Sequence, residues 1–277
     1  MGNLQILEQH LSTDPFRPDE IAKRLEATNI QRATFSVKSL ALLGLLGGIY
    51  IGFGGALATL TLTDSSLGYG LGRLAAGIAF SLGLIMLVVA GGELFTGNNL
   101  MVLAYASRKI DSRAVLRNWG LVYAANAAGA VLLALVVHLS GILEANSLKA
   151  TAIKIAEAKA QLGTMSAFLR GVLCNMLVCL AVWLSIAARS VEGKVIAIAF
   201  PISAFVALGL EHCIANFYLL PVGMLSGAAI TAYDAAANII AVTLGNTLGG
   251  IVVAIVYYLV YLEESPHGIF LSRPNRQ

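Results

Sequence analysis

Two octapeptides decide the fold of this chain: GGELFTGN at positions 91–98 and GLEHCIAN at positions 209–216. Both follow the pattern Gly-x-Glu-x4-Asn, and their glutamates, Glu93 and Glu211, lie 118 positions apart. Each octapeptide interrupts an apolar block that is too long to form one membrane-spanning helix. The second one also contains His212, and a titratable side chain within a membrane span usually marks a substrate or proton path.

The surrounding sequence is typical of an integral membrane protein. Of its 277 residues, 58% are hydrophobic and only 12% are charged, with a mean hydropathy of +0.80; soluble domains carry about 25% charged residues. The net charge is only +3, and the basic residues form no cluster that would suit nucleic acid. Cys174, Cys179 and Cys213 all lie in apolar segments without metal-ligand spacing, so neither a metal nor a cofactor is expected.

The hydropathy pattern predicts an all-α protein with six transmembrane helices. These spans are expected at about 38–61, 71–108, 114–141, 164–189, 194–228 and 234–262, with the second and fifth broken by the octapeptides. Since each half crosses the membrane an odd number of times, the two halves form a 3+3 inverted repeat with an aquaporin-like layout. Broken spans at matching places in such halves point to the substrate site.

Three regions follow from this pattern. A polar N-terminal segment, 1–35, begins with a short amphipathic helix and is expected in the cytoplasm, because it has no apolar signal-peptide core. A channel domain covers 36–263, with halves of about 36–141 and 164–263 joined by a polar segment, 143–162, that is expected to be an interfacial helix or an ordered linker. A polar C-terminal tail covers 264–277.

The basic residues predict the orientation. With the N-terminus inside, 13 of the 18 lysines and arginines fall on the cytoplasmic side, which agrees with the positive-inside rule. Both termini are therefore expected in the cytoplasm. Lys154 and Lys159 fall on the outer side, where they could attract an anion.

The broken spans favour an anionic substrate over a cation. The half-helices that start near Thr96 and near His212 are expected to meet near the midplane from opposite faces. Helix N-termini present free N–H groups and a partial positive potential, which suits an anion.

Four motifs in this order resemble the formate/nitrite transporter family over about residues 20–263. They are LFTGNN at 94–99, GVLCNMLVCLAVW at 171–183, GLEHCIAN at 209–216 and TLGNTLGG at 243–250. The resemblance implies a homopentamer in the bacterial inner membrane, with one pore per subunit for small monovalent anions and their acids.

The resemblance also implies roles for individual residues. The pore centre and proton relay would be His212, Thr96 and Asn175. Lys159 would attract anions into the outer vestibule, with Lys154 as the alternative on the same segment. The hydrophobic constriction would involve Phe80, Leu84, Leu94, Phe95, Val178 and Phe205, which on the sequence alone are ordinary core residues.

These assignments predict passage of formate together with a proton. Moving an anion from water into an apolar constriction costs several kcal/mol of free energy, whereas the neutral acid avoids most of that penalty. An imidazole, whose unperturbed pKa is about 6.5, could supply the proton or polarise a water. Burial disfavours its charged form, so a neutral His212 is expected at pH 7.

Alternatives remain open at this point. His212 could only pack between helices, and Thr96 could only bond a neighbouring helix. Glu93 and Glu211 could carry protons, but are expected, with Asn98 and Asn216, to support the broken helices by accepting from backbone N–H groups. Nitrite, hydrosulfide and lactate rival formate as the substrate. The rival functions are a neutral-solute channel, which the absent Asn-Pro-Ala pairs disfavour, a sodium-coupled carrier, and a membrane enzyme, for which no nucleophile or metal motif is visible.

Overall fold

The computed structural model describes residues 14–63 and 66–263, and within these ranges it is helical without strands. The expected short helix at the start of the N-terminal segment and the C-terminal tail, 264–277, lie outside the described residues. The helices are α1 (Pro18–Ala33), α2 (Val37–Leu62), α3 (Gly68–Met86), α4 (Phe95–Asn98), α5 (Met101–Ala106), α6 (Ser112–Leu139), α7 (Leu148–Ala160), α8 (Thr164–Ala187), α9 (Val191–Ala207), α10 (Cys213–Ser226) and α11 (Ala232–Tyr261). A π-helical turn, Leu87–Gly91, extends α3, and a 3₁₀ turn, Ile142–Glu144, precedes α7.

The helices confirm the six-span, multi-pass membrane fold. Five of them, namely α2, α3 with its π-turn, α6, α8 and α11, are long and apolar enough to cross a membrane. The remaining span consists of α9 and α10, which follow one another around a break at 208–212. The second span is broken at 92–94, so the interruptions occur where the two octapeptides predicted them.

The second span differs from its prediction after the break. A single half-helix from near Thr96 was expected, but the chain forms α4 and α5 as two short pieces. The amides of Leu100, Val102 and Leu103 each bond a carbonyl three residues back, which tightens the backbone into a 3₁₀-like geometry between the pieces.

The packing of the helices follows the inverted repeat. In the first half α2 packs against α3 and α6, in the second half α8 packs against α9 and α11, and α3 packs against α9 between the halves. Glycines allow the closest approaches. A Cβ at Gly48 would overlap the carbonyl oxygen of Asn126 in α6, and a Cβ at Gly249 would overlap that of Val172 in α8. Small residues of this kind let membrane helices pack backbone to backbone.

Two further helices lie beside the breaks. α1 starts with Pro18 in its first turn and buries Ile21, Ala22, Leu25 and Asn29; the Asn29 amide donates to the carbonyl of Leu100 over 2.9 Å, so α1 is docked beneath the first break. The segment 143–162 forms the predicted helix, α7, which buries Leu148, Ala152 and Ala156 and packs against α10.

Candidate functional site: two mirrored helix breaks

The first break is held together by one asparagine of α6. Gly91 has a φ of +95°, a left-handed conformation that favours glycine, and the chain then runs extended to Leu94, the N-cap of α4. The Asn126 side chain accepts from the N–H of Phe95 over 2.9 Å and donates to the carbonyls of Gly44 and Glu93 over 2.7 and 2.8 Å. Asn126 thus joins α2, the break and the start of α4.

The second break repeats this arrangement with an asparagine of α11. Gly209 has a φ of +71°, and His212 is the extended N-cap residue of α10. The Asn246 side chain accepts from the N–H of Cys213 over 2.9 Å and donates to the carbonyls of Gly171 and Glu211 over 2.7 and 2.9 Å. The backbone groups that each break exposes are therefore satisfied inside the protein, as membrane depth requires.

The two glutamates lie beside these asparagines in matched settings. Glu93 is 4% exposed, accepts from Asn98 over 2.6 Å and pairs with Arg32 of α1 at 3.1 Å. Asn98 also donates to Asn118 over 2.8 Å. Glu93 therefore links α1, the break and α6.

Glu211 is bound in the same way at the second break. It is 4% exposed, accepts from Asn216 over 2.8 Å and is contacted by the Lys159 ammonium at 2.9 and 3.0 Å. Asn216 also donates to Asn238 over 2.7 Å. Among the described residues, the hydrogen bonds to both carboxylates come from side chains, whereas the sequence interpretation expected backbone N–H groups.

The role of four asparagines of α6 and α11 at the breaks was not predicted from the sequence. Asn118 and Asn126 are eight residues apart, and Asn238 and Asn246 repeat that spacing 120 positions later. This repeat was a usable signal, because matched asparagines in the third span of each half are costly in lipid unless they bond something.

The two breaks meet at a hydrogen bond between Thr96 and His212. Thr96 Oγ1 lies 3.0 Å from His212 Nε2, and both residues are buried. The other imidazole nitrogen, Nδ1, accepts from the N–H of Ala215 over 3.1 Å and caps α10. A neutral imidazole with Nδ1 as acceptor carries its proton on Nε2, so the Nε2–H donates to the threonine hydroxyl.

Asn175 of α8 holds the backbone of the first break. Its amide nitrogen contacts the carbonyl of Thr96 at 3.3 Å, Oδ1 of Asn99 at 2.8 Å and the carbonyl of Asn246 at 2.6 Å. Asn175 is fully buried. Its contacts therefore reach α4 and α11, and it touches the Thr96–His212 pair through the threonine backbone.

Two cavities approach this centre from opposite sides. The cavity beside α7, of about 210 Å³, is lined by His212, Phe80, Phe205 and Lys159 among others. The rings of Phe80 and Phe205 meet edge to face with centroids 5.3 Å apart, and the Phe205 ring lies 6.1 Å from the imidazole. The lining of this cavity therefore includes an aromatic pair next to the histidine.

The cavity beside α1 has a volume of about 340 Å³ and is lined by Arg32, Glu93, Leu84 and Leu94 among others. The lining of this cavity therefore combines an ion pair with apolar side chains.

Several residues of the predicted assignments line neither cavity, and Thr96 and Asn175 of the predicted centre are among them. Phe95 and Val178 are buried but line neither of these two cavities in the described part of the chain. The Phe95 ring packs on Tyr123 and Trp119, with centroids 4.9 and 6.0 Å away. Lys154 is exposed on α7 and also lines neither cavity, so Lys159 is the lysine at the mouth.

Comparisons with known proteins agree with this architecture. The sequence profile described as "Formate/nitrite transporter" matches residues 19–260. The formate channel FocA of Escherichia coli K12 is 34% identical over 92% of this chain and 97% of its own length. A probable formate transporter of Methanothermobacter thermautotrophicus is 39% identical over 89% of this chain and 97% of its own length.

Solved structures are similar as well. A pentameric formate channel with formate bound shares 35% identity and a TM-score of 0.75, covering 82% of this chain and 98% of that one. An ion channel of the same family, 27% identical, gives a TM-score of 0.79 over 87% of this chain and 98% of that one. With a family match over most of its length, two mirrored breaks and a shared core, the chain belongs to the formate/nitrite transporter family.

Proposed function

We propose that this protein is a channel that carries formate, or a similar small monovalent anion, across the membrane together with a proton, and that it is not an enzyme. The observation that carries the proposal is the 3.0 Å contact between the hydroxyl of Thr96 and the imidazole of His212. One partner, His212, lines the cavity that also contains the Phe80–Phe205 pair, and Thr96 is hydrogen-bonded to it from the other break. The formate channels among its relatives support the same substrate class.

The aromatic pair determines in which form the substrate crosses. A bare carboxylate between the rings of Phe80 and Phe205 would lose its hydration without gaining a counter-charge, which costs several kcal/mol. Formic acid carries no net charge and avoids most of this penalty. The anion therefore takes up a proton before it passes the rings and releases the proton beyond them.

The direction of the hydrogen bonds assigns His212 a polarising role. Because the Nε2–H donates to Thr96 Oγ1, the hydroxyl hydrogen of Thr96 is free to donate to an oxygen of the anion. Protonation of Nδ1 would break the bond from the N–H of Ala215 and would place a charge in a buried site. The proton of the acid thus comes from hydronium in the bulk solution and reaches the anion through water in the cavity, while His212 and Thr96 hold and polarise the anion.

The other residues support this centre. Asn175 fixes the carbonyl of Thr96, and Glu93 with Asn98, like Glu211 with Asn216, holds a break in shape. Leu84 and Leu94 form a second constriction on the α1 side. For Phe95 and Val178, we propose that they shape the constriction from behind the pore.

We also propose the assembly and its orientation. Both termini lie in the cytoplasm of a bacterial cell, so α1 faces the cytoplasm and α7 faces outward, because most basic residues then lie inside. The pentamer of the solved formate-bound neighbour supports a homopentamer with one pore per subunit. Native mass spectrometry of the purified protein would give the stoichiometry directly.

The test is formate uptake into proteoliposomes, with internal pH recorded at the same time. Wild-type protein should carry one proton with each formate, and the rate should fall as external pH rises because protons become scarce. His212→Asn should lower the rate roughly fivefold, since the polarised hydroxyl loses a donor worth about 1 kcal/mol.

The same variant separates the two possible roles of the histidine. If His212 only polarises Thr96, the pH dependence persists in His212→Asn at the lower rate. His138→Asn, at the end of α6, is the matched control and should transport like wild type. Formate flux without proton movement, or permeation of water and glycerol instead of formate, would refute the proposal. Nitrite, lactate and hydrosulfide measured in parallel would rank the substrates.

A further inference from the structure

The cavity beside α7 contains more positive charge than the cavity beside α1. Its lining includes Arg73, Lys159, Arg170 and Glu211 as charged groups, whereas the lining of the α1-side cavity includes only Arg32 and Glu93. With three cations and one anion, the α7 side has a formal charge of +2 (3 − 1), while the α1 side is neutral (1 − 1). The two breaks therefore have matching backbone support, but the two cavities differ in formal charge.

The Lys159 ammonium does not supply this excess. It contacts both oxygens of Glu211 at 2.9 and 3.0 Å, and the two side chains are 15% and 5% exposed. Because the two opposite charges lie this close together, the pair adds almost no net charge to the cavity. The excess therefore belongs to the two arginines.

Arg73 reaches the cavity from α3 and bonds backbone carbonyls there. Its Nε donates to the carbonyl of Ala207 over 2.8 Å and its Nη2 to that of Val206 over 3.0 Å. These carbonyls end α9, where cations are favoured, but they bear only partial negative charge. The remaining guanidinium surface faces the cavity beside Gly209.

Arg170 reaches the same mouth from α8. Its Nη1 contacts the carbonyl of Gly209 at 3.4 Å, and the residue is exposed. Of the four ion pairs found within residues 14–63 and 66–263, none includes Arg73 or Arg170. Both guanidiniums thus converge on the loop that precedes His212, and no carboxylate in the described part of the chain forms an ion pair with them.

We infer that Arg73 and Arg170, and not Lys159, are the residues that concentrate the anion at this mouth. The inference rests on the proposed function and reassigns the role of anion attraction within it. Lys159 instead acts as the buried counter-ion of Glu211. Since the α1-side cavity is neutral, low concentrations of the anion are captured more readily from the α7 side.

The expected effect is modest and depends on salt. A unit charge about 7 Å from the anion in a hydrated vestibule raises the local anion concentration about threefold at low ionic strength. Two such charges raise it about tenfold. Because the Debye length is about 10 Å at 0.1 M and about 3 Å at 1 M salt, the effect should shrink strongly as salt is added.

The experiment measures formate uptake from the α7 side in proteoliposomes of uniform orientation, at low and high ionic strength and constant osmolarity. Arg170→Gln should raise the half-saturating formate concentration about threefold at low salt, with an unchanged maximal rate. Arg73→Gln should do the same and also lower the maximal rate, because Arg73 holds the end of α9; Arg73→Lys should restore the half-saturating concentration. The double variant should need about ten times more formate.

Arg113→Gln, an exposed arginine at the start of α6, is the matched control and should leave the half-saturating concentration unchanged. A double variant with the wild-type half-saturating concentration at low salt, or a shift that persists at high salt, would overturn this inference while formate transport by the wild type still stands. A wild type that carries no formate would instead refute the proposed function and this inference with it.

Discussion

At the first break Asn126 accepts from the N–H of Phe95 and donates to the carbonyl of Glu93, and at the second break Asn246 does the same for Cys213 and Glu211. Each glutamate accepts from the asparagine five positions later and pairs with a cation from a helix outside the break. The bond lengths of the two networks differ by 0.2 Å or less at each matched hydrogen bond. The hydrogen bonds and the ion pair that support the first break are therefore repeated at the second.

The residues at the centre are not duplicated. The N-cap position that follows the glutamate is Leu94 in the first break and His212 in the second, and two positions later the pair is Thr96 and Ile214. Each break thus contributes one polar group, a hydroxyl from one and an imidazole from the other, and one apolar group. The repeat thus supplies a symmetric frame in which a single asymmetric pair can be placed.

The largest expected effect comes from removing the shared frame. Asn126→Ala would leave the N–H of Phe95 and the carbonyl of Glu93 without partners, and each orphaned group costs about 1–3 kcal/mol. We expect a loss of about 2–6 kcal/mol in the free energy of unfolding, measured by titration with SDS. Because the network is mirrored, Asn246→Ala should lose a similar amount.

Gln31→Ala, on the exposed face of α1, serves as the control and should change stability by less than about 0.5 kcal/mol. If only one of the two asparagine variants were destabilised, the frame would not be equivalent at the two breaks.

A somewhat smaller effect should distinguish the two ion pairs. Lys159→Met leaves the Glu211 carboxylate buried without its counter-ion, which costs about 3–5 kcal/mol. Arg32→Met should cost less, because Arg32 makes a single contact with Glu93 at 3.1 Å, whereas Lys159 contacts both oxygens of its partner. The same SDS titration measures both.

The second variant of each pair shows whether the uncompensated charge is the cause. Adding Glu211→Gln to Lys159→Met should restore part of the lost stability, and Glu93→Gln should restore less when added to Arg32→Met. A double variant that is less stable than Lys159→Met alone would contradict the assignment of Lys159 as a counter-ion.

The spans and both breaks could be predicted from the sequence, because hydropathy and the glycine-glutamate repeat are local signals. The positions of His212 and Thr96 also followed from the octapeptides, although their contact depends on how the halves fold together. The partners of Glu93 and Glu211 could not be predicted, since Arg32 and Lys159 are 61 and 52 residues away and reach the breaks only through the docking of α1 and α7.

The side-chain directions at the constriction could not be predicted either. Phe95 stands next to Thr96 in the sequence, but the first turn of α4 directs its ring toward Trp119 and Tyr123. Lys159 lines the cavity, but its ammonium also contacts both oxygens of the buried Glu211, a partner that the sequence did not indicate. Such contacts depend on distances that only the folded chain defines.

The smallest expected effect comes from a change at the Thr96–His212 centre itself. Thr96→Val removes the hydroxyl, with little change in volume, and leaves the Nε2–H of His212 without its acceptor. We expect a cost of about 1–3 kcal/mol in stability, together with a marked loss of proton-coupled formate uptake. Thr96→Ser keeps the hydroxyl and should keep most of the uptake.

Ile214→Val is the matched change in the other break. Ile214 is fully buried, and shortening it by one methyl group should cost about 0.5–1.5 kcal/mol, so the two variants are similarly destabilised. Only the threonine variant should lose transport, because only that one removes a polar group from the centre. Equal transport by Thr96→Val and Ile214→Val would mean that the hydroxyl takes no part in conduction, and that the asymmetry between the breaks serves packing alone.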